Sequence, residues 1–286
     1  MLSCRQACSP RSGLIRVGAA DTLGYRIGMN RMKWNPALYE QFGRERLEPA
    51  HDLIALLEPT TDPCVVDLGC GCGEVTALLH EALHAYQTVG LDSSEEMIAR
   101  TGNHVANSLW FEQRDIADFQ ADACYDVVFS NAALHWLEDH EALFARLRAA
   151  LAPRGQLAVQ MPRNFNHPSQ RAVAAAAAEE PFVTALGGWR RISPVLTGSE
   201  YSRLLAQLGF AHQHVEVRTY LHHLPDGEAA IRWMEGALLT PYRARLSDSL
   251  YERFLDTIRA RFLPTVAGES PYLYTFDRLL LWARLP

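Results

Sequence analysis

The sequence predicts an α/β protein whose sheet is mostly parallel and covered by helices on both faces. Short apolar, strand-like runs alternate with helical stretches through the middle of the chain. The connections between them are short, as repeated strand–helix units require. The first of these runs also ends in a turn with three glycines, Gly69, Gly71 and Gly73, which is where such folds hold a ligand. At 286 residues the chain can bury roughly three quarters of its unfolded surface, so it needs no covalent staples. A hydrophobic content of 48% excludes a disordered chain. The net charge of -6, from 33 acidic and 27 basic residues, argues against a general nucleic-acid binder. No apolar run approaches the roughly 18 residues that span a bilayer, so no membrane partner is expected. Six cysteines are too sparse for a disulfide scaffold, and a reduced, cytoplasmic protein, expected to be a monomer, follows.

Residues 1–31 carry Arg5, Arg11, Arg16, Arg26 and Arg31 against the single acid Asp21, with no apolar period, and are expected to be an extension or an early start. Residues 32–286 then form one domain. A helical stretch opens at Trp34-Asn35-Pro36 and carries Tyr39, Phe42 and Arg46. A second is expected to start at Pro49, since proline suits a first turn. Cys64 to Asp67 reads as a buried strand, followed by the glycine loop and a helix running to about His84. Thr88 to Asp92 is the second strand, and Ser93 with Glu96 has the spacing of a capping box for the next helix. Leu109 to Phe111, leading towards Asp115, and Tyr125 to Phe129 supply the third and fourth strands. A helix over Leu143 to Leu151 and a turn at Pro153 and Gly155 lead to a fifth strand, Leu157 to Gln160. Beyond it come a helical insertion with loops over 163–198, a helix from Tyr201 to Leu208, and a strand from His214 to Tyr220. A helical stretch through Trp233 precedes a final strand, Tyr272 to Leu281, for which an antiparallel course is plausible.

The chemistry centres on three acids at successive strand ends. Asp67 precedes the loop Gly69-Cys70-Gly71-Cys72-Gly73, whose spacing is Gly-x-Gly-x-Gly instead of the dinucleotide pattern Gly-x-Gly-x-x-Gly. A carboxylate there would repel a pyrophosphate, yet it can accept a hydrogen bond from a ligand ammonium. Asp92, ending the second strand, can take both hydroxyls of a ribose. Asp115 can accept from an exocyclic adenine amine while Ile116 packs on the ring. Each acid alone also reads as a helix cap or turn residue; together they describe an adenosyl ligand with an amino group and no phosphate. His80-Glu81-Ala82-Leu83-His84 fits the His-Glu-x-x-His zinc pattern, but its helix starts at the glycine loop and is committed to another ligand, so no metal is expected.

The stretch Val65 to Gly73, Asp92, Asp115-Ile116 and Ser130-Asn131-Ala132 resembles the class I S-adenosylmethionine-dependent methyltransferases. Trp34-Asn35-Pro36-Ala37-Leu38-Tyr39, Glu45-Arg46, Pro49-Ala50, Leu134-His135-Trp136-Leu137, Ala158-Val159-Gln160-Met161-Pro162, Trp233, Pro241, Phe276 and Arg278 are similar to the trans-aconitate 2-methyltransferase family, over most of the chain from about residue 34. The resemblance implies a Rossmann-like, seven-stranded, mostly parallel sheet with helices on both faces and a partly helical cap. It places the donor-binding half in 63–162 and the cap and acceptor pocket in 163–200 and 225–265. S-adenosylmethionine is the implied cofactor, held by Asp67, Gly69, Gly71, Asp92, Ser93, Asp115, Ile116 and Asn131, with Arg46 reaching its carboxylate. The implied partner is a small carboxylic acid, bound among Trp34, Tyr39, His135, Trp233, Arg243 and Arg278. A carboxylate is already ionised at pH 7, so no general base is required. Thr240 and Glu48 stand where this family carries arginine, which points to a less highly charged acceptor. His135 stands where the family has glutamine. It reads either as an acceptor contact, able to deprotonate a hydroxyl, or as a histidine satisfied beside Trp136. A hydroxyl or carrier-bound acid acceptor, or a protein that binds the donor without turnover, are the alternatives.

Overall fold

Apolar runs flanked by turn residues place the central strands in the computed structural model, which describes residues 43–286, with side chains from residue 47 onward. Strand β1 (Cys64–Leu68) is buried along its whole length. It is followed by α2 (Glu74–Ala82), β2 (Gln87–Asp92), the short α3 (Glu95–Ile98), β3 (Leu109–Gln113) and β4 (Tyr125–Asn131), with α1 (Gly43–Ala55) preceding it all. Helix α4 (His140–Ala150) leads into β5 (Leu151–Pro162). Seven strands form one sheet in the order β3-β2-β1-β4-β5-β7-β6, where β6 is His212–Leu224 and β7 is Tyr272–Arg284. Strands β1 to β5 pair in parallel, and β7 lies antiparallel to both β5 and β6. The strand order reverses between β1 and β4, so the ligand crevice of such a sheet lies outside their carboxyl ends.

Several elements depart from the sequence expectation for identifiable reasons. Helix α1 continues through Pro49 instead of restarting there. Pro49 and Leu53 lie one turn apart on its buried face, and Leu53 packs against Val65, Leu79 and Phe129. That packing offsets the roughly 3 kcal/mol cost of an interior proline. The cap of α3 is Ser94, not Ser93: the Ser94 hydroxyl accepts from the Met97 amide at 3.2 Å, and Asp92 Oδ1 holds the Ser94 amide at 2.9 Å. The turn at Pro153 and Gly155 is a bulge inside β5, where pairing jumps from Tyr125↔Leu151 to Val127↔Gln156. Strands β6 and β7 each run 13 residues, longer than their apolar patterns suggest, because the two zip together along their full lengths.

The segments after β5 carry α5 (Pro168–Ala177), α6 (Phe182–Ala185), α7 (Gly198–Gln207), α8 (Gly227–Glu235), α9 (Thr240–Arg243) and α10 (Asp248–Phe262). Two large hydrophobic clusters result. One joins the sheet to α4 and α7 through Leu147, Val159, Tyr201 and Leu281. The other joins α5, α6, α8 and α10 through Val173, Phe182, Trp233 and Phe254, and it includes Tyr272, Tyr274 and Phe276 from the first half of β7. The zinc-like pattern dissolves in this fold. Helix α2 ends at Ala82, His84 takes a left-handed φ of 46°, and His80 bonds the Thr88 and Ser108 hydroxyls at 2.8 and 3.2 Å. Among the described residues no group of acids, histidines and cysteines could hold a metal, and no helix is long and apolar enough to cross a membrane.

Candidate functional site

The glycine loop folds back on β2, with the Gly69 and Cys70 amides both donating to the Leu91 carbonyl at 2.8 and 3.0 Å. Gly69 adopts φ +79°, and a Cβ there would stand 2.1 Å from that of Ala133. Gly71, at φ +56°, is different: a Cβ there would meet nothing within 4 Å. Its amide donates to Asp92 Oδ2 at 3.0 Å, leaving open space above the loop. Asp67 lies beneath, 1% exposed, with Oδ2 accepting from the Thr76 hydroxyl at 2.6 Å. Its other oxygen is buried, with no partner among the described residues. Burial pushes the Asp67 pKa up to about 7 against the lowering effect of Thr76, and the Asp92 charge adds to the rise. Burial likewise raises Asp92, opposed by the amides of Ser94 and Gly71. Asp115 caps the short turn Ile116–Asp118, its Oδ1 accepting from the Ala117 amide at 2.9 Å. All three acids therefore also serve the local structure, as caps or loop ties.

One cavity runs from this loop to the cap. Gly69, Gly71, Asp92, Ser93 and Ile116 line one end, together with Met97. Asn131 lines its middle, and its Oδ1 is buried with no partner among the described residues. The far end is formed by His135, Trp136, Pro162, Trp233, Phe276 and Arg278. Arg278 is 5% exposed, with its guanidinium 4.8 Å from the centre of the Phe276 ring. The His135 ring lies 4.8 Å from that of Trp136, and its Nδ1 is buried with no partner among the described residues. Burial holds the imidazole pKa well below its usual value, and the charges of Arg191 and Arg278 lower it further. The Arg191 guanidinium lies 4.5 Å from the centre of the Trp136 ring.

The structure thus brings together nine of the expected residues: Gly69, Gly71, Asp92, Ser93, Ile116, Asn131, His135, Trp233 and Arg278. Asp67 and Asp115 support the walls without lining them. Arg243 does not line the cavity; it pairs with Asp248 at 2.8 Å and lies over the Tyr251 ring. Trp34, Tyr39 and the Arg46 side chain lie outside the described residues. Met97, Ala132, Ala133, Trp136, Pro162, Ala237 and Phe276 also line the cavity and were not among the expected site residues. Met97 had a usable signal, as the buried position of the turn that follows Asp92. The open space over Gly71, the partnerless oxygens of Asp67 and Asn131, and the apolar Met97 and Ile116 beside Asp92 fit an adenosyl group that carries an ammonium. Two buried carboxylates of one sign are relieved by such a cation. The far end, aromatic with a buried arginine, fits a small anion.

The chain is similar to known proteins over most of its length. Residues 65–155 match a family described as a methyltransferase domain. A trans-aconitate 2-methyltransferase of Deinococcus radiodurans is 42% identical over 261 residues, covering 89% of this chain and 99% of that protein. Another of that name from Yersinia pestis is 36% identical over 256 residues, covering 88% and 96%. Among solved structures, the YcgJ protein of Bacillus subtilis shares the fold, with a TM-score of 0.54 at 13% identity, over 84% of this chain and 98% of that one.

Proposed function

The chain belongs to the trans-aconitate 2-methyltransferase family, and from that premise we propose that it moves a methyl group from S-adenosylmethionine to a carboxylate of trans-aconitate or a related small acid. The observation that carries this reading is the continuity of one cavity from the Gly71–Asp92 cradle to the buried Arg278. The donor supplies an electrophilic methyl on a sulfonium; its transfer forms the ester C–O bond as the C–S bond breaks, and no proton is released. Asp67 acts on the donor ammonium through its charge from beneath the loop, Asp92 takes the ribose hydroxyls, and Met97 and Ile116 flank the adenine, with Asp115 behind its amine edge. Asn131 orients the donor near the reacting methyl. Arg278 holds an acceptor carboxylate, and the walls of Trp136, Trp233 and Phe276 exclude water. The transfer cancels one sulfonium charge against one carboxylate charge, which is favoured where water is excluded.

The donor half is assigned to 63–162 and the acceptor-covering segments to 163–200 and 225–265. Action in the cytoplasm as a monomer completes the proposal. A second reading has its own support: His135 faces the cavity as a neutral imidazole with a free Nδ1, which suits the deprotonation of a hydroxyl acceptor. The test is incubation with methyl-labelled donor and trans-aconitate, alongside citrate, isocitrate and simple dicarboxylates. Label in an alkali-labile product that releases methanol is expected with trans-aconitate. Donor binding without label in any acid would shift the assignment to hydroxyl acceptors or to a non-catalytic binder.

A further inference from the structure

We infer that Arg191 is a positioning residue for the anionic acceptor, a cation held beside the cavity with no carboxylate partner among the described residues; this rests on the carboxylate reading above. The segment 187–197 joins α6 to α7 and ties the two hydrophobic clusters together. Gly187 and Gly188 open it at φ 62° and 74°. Trp189 then docks on the cap, its ring 5.2 Å from that of Tyr242 and under the Arg245 guanidinium at 4.0 Å. Val195 and Leu196 pack on the sheet cluster at the other end. Arg191 lies between these anchors, on the ring of Trp136, whose own surface lines the acceptor end.

The contrast with nearby arginines carries the inference. Arg243 pairs with Asp248, Arg259 with Glu228 and Asp256, and Arg261 with Glu179. Arg191 is partly sheltered, yet among the described residues no acid stands within ion-pairing distance of it. Burial lowers its pKa to about 10, with only the Tyr242 hydroxyl acting in the opposite sense. A sheltered cation with no acid among the described residues carries a desolvation cost that those residues do not offset. A multiply charged anion at the acceptor end would relieve it. Its field therefore favours acceptors in proportion to their charge, and it disfavours protonation of His135. The groups acting on His135 are Arg191 from this segment, Arg278 from β7 and His140 from α4.

The test compares Arg191→Met and Arg191→Lys with the unmodified protein. In Arg191→Met, KM for trans-aconitate is expected to rise about tenfold, with a smaller rise for a dicarboxylate and smaller still for a monocarboxylate. The value of kcat and donor affinity are expected to stay within about twofold, and Arg191→Lys to recover most of the loss. The His135 midpoint, followed by NMR, should rise by about one unit in Arg191→Met and stay in place in Arg191→Lys. A KM penalty independent of acceptor charge, or an unmoved His135 midpoint, would overturn the inference. Failure of the unmodified protein to methylate any acid would instead defeat the carboxylate reading. The His135 titration then decides alone whether Arg191 acts as a free cation there.

Discussion

As the proposed counter-ion of the donor ammonium, Asp67 ties binding to pH. An unfolded aspartate ionises near 3.8, whereas native Asp67 keeps its proton to about 7. Between those values the native state binds more protons than the unfolded state, so stability without ligand falls as pH rises, by roughly 1.4 kcal/mol per pH unit at most. Asp67→Asn removes this slope, and thermal melts of the ligand-free protein at pH 5 and pH 8 should differ less in the variant. Donor binding runs the other way, because only the ionised carboxylate attracts an ammonium. Calorimetric titration should show donor affinity increasing from pH 6 to pH 8 in the unmodified protein and staying flat, at least tenfold weaker, in Asp67→Asn. A variant that bound as tightly as its parent would remove Asp67 from the donor site.

The glycine loop separates folding from binding within a single element. Gly69→Ala places a methyl 2.1 Å from the Ala133 Cβ, on a left-handed backbone. It should cost about 2–4 kcal/mol, seen as a fall in the denaturation midpoint. Gly71→Ala meets no atom, so its cost is the left-handed strain of about 1 kcal/mol, while its methyl occupies the donor's space and weakens binding at least tenfold. Much at this scale was legible beforehand. Cys64 to Asp67, Thr88 to Asp92 and Leu109 to Phe111 are apolar runs too short for helices, and the acids at or just beyond their ends, Asp67, Asp92 and Asp115, are where a parallel sheet opens. Other features depended on neighbours distant in sequence. Helix α1 passes through Pro49 because Leu53 has a core to reach, and Asp92 binds the Ser94 amide, which moves the cap one residue on. Arg243 looked like an acceptor clamp, but Asp248 and Tyr251 hold it elsewhere. Arg191 gained its place only when the segment 187–197 folded against Trp136.

At the level of the whole molecule, two hydrophobic clusters divide the work, and β7 belongs to both. Phe254 in α10 is fully buried, with its ring 5.2 Å from Phe182 and 5.1 Å from Tyr242. Phe254→Ala should cost about 3–5 kcal/mol. Because this cluster carries Trp233 and Phe276 of the proposed acceptor end, KM for the acceptor should rise severalfold while donor affinity stays within about threefold. Equal losses of both would mean that the two clusters melt as one unit, which hydrogen exchange would show directly. The position of β7 has a further consequence for how the protein is made. It lies between β5 and β6 although it follows both in the chain. A ribosome delivers β6 before the strand that joins it to the sheet, so the nascent chain carries an open edge along β5 and a stranded β6 until β7 emerges. Completion of the sheet therefore waits on translation of Tyr272 to Arg284. Premature termination upstream of that stretch would leave a donor half with a bare, sticky margin, a substrate for chaperones and proteases rather than a smaller working enzyme.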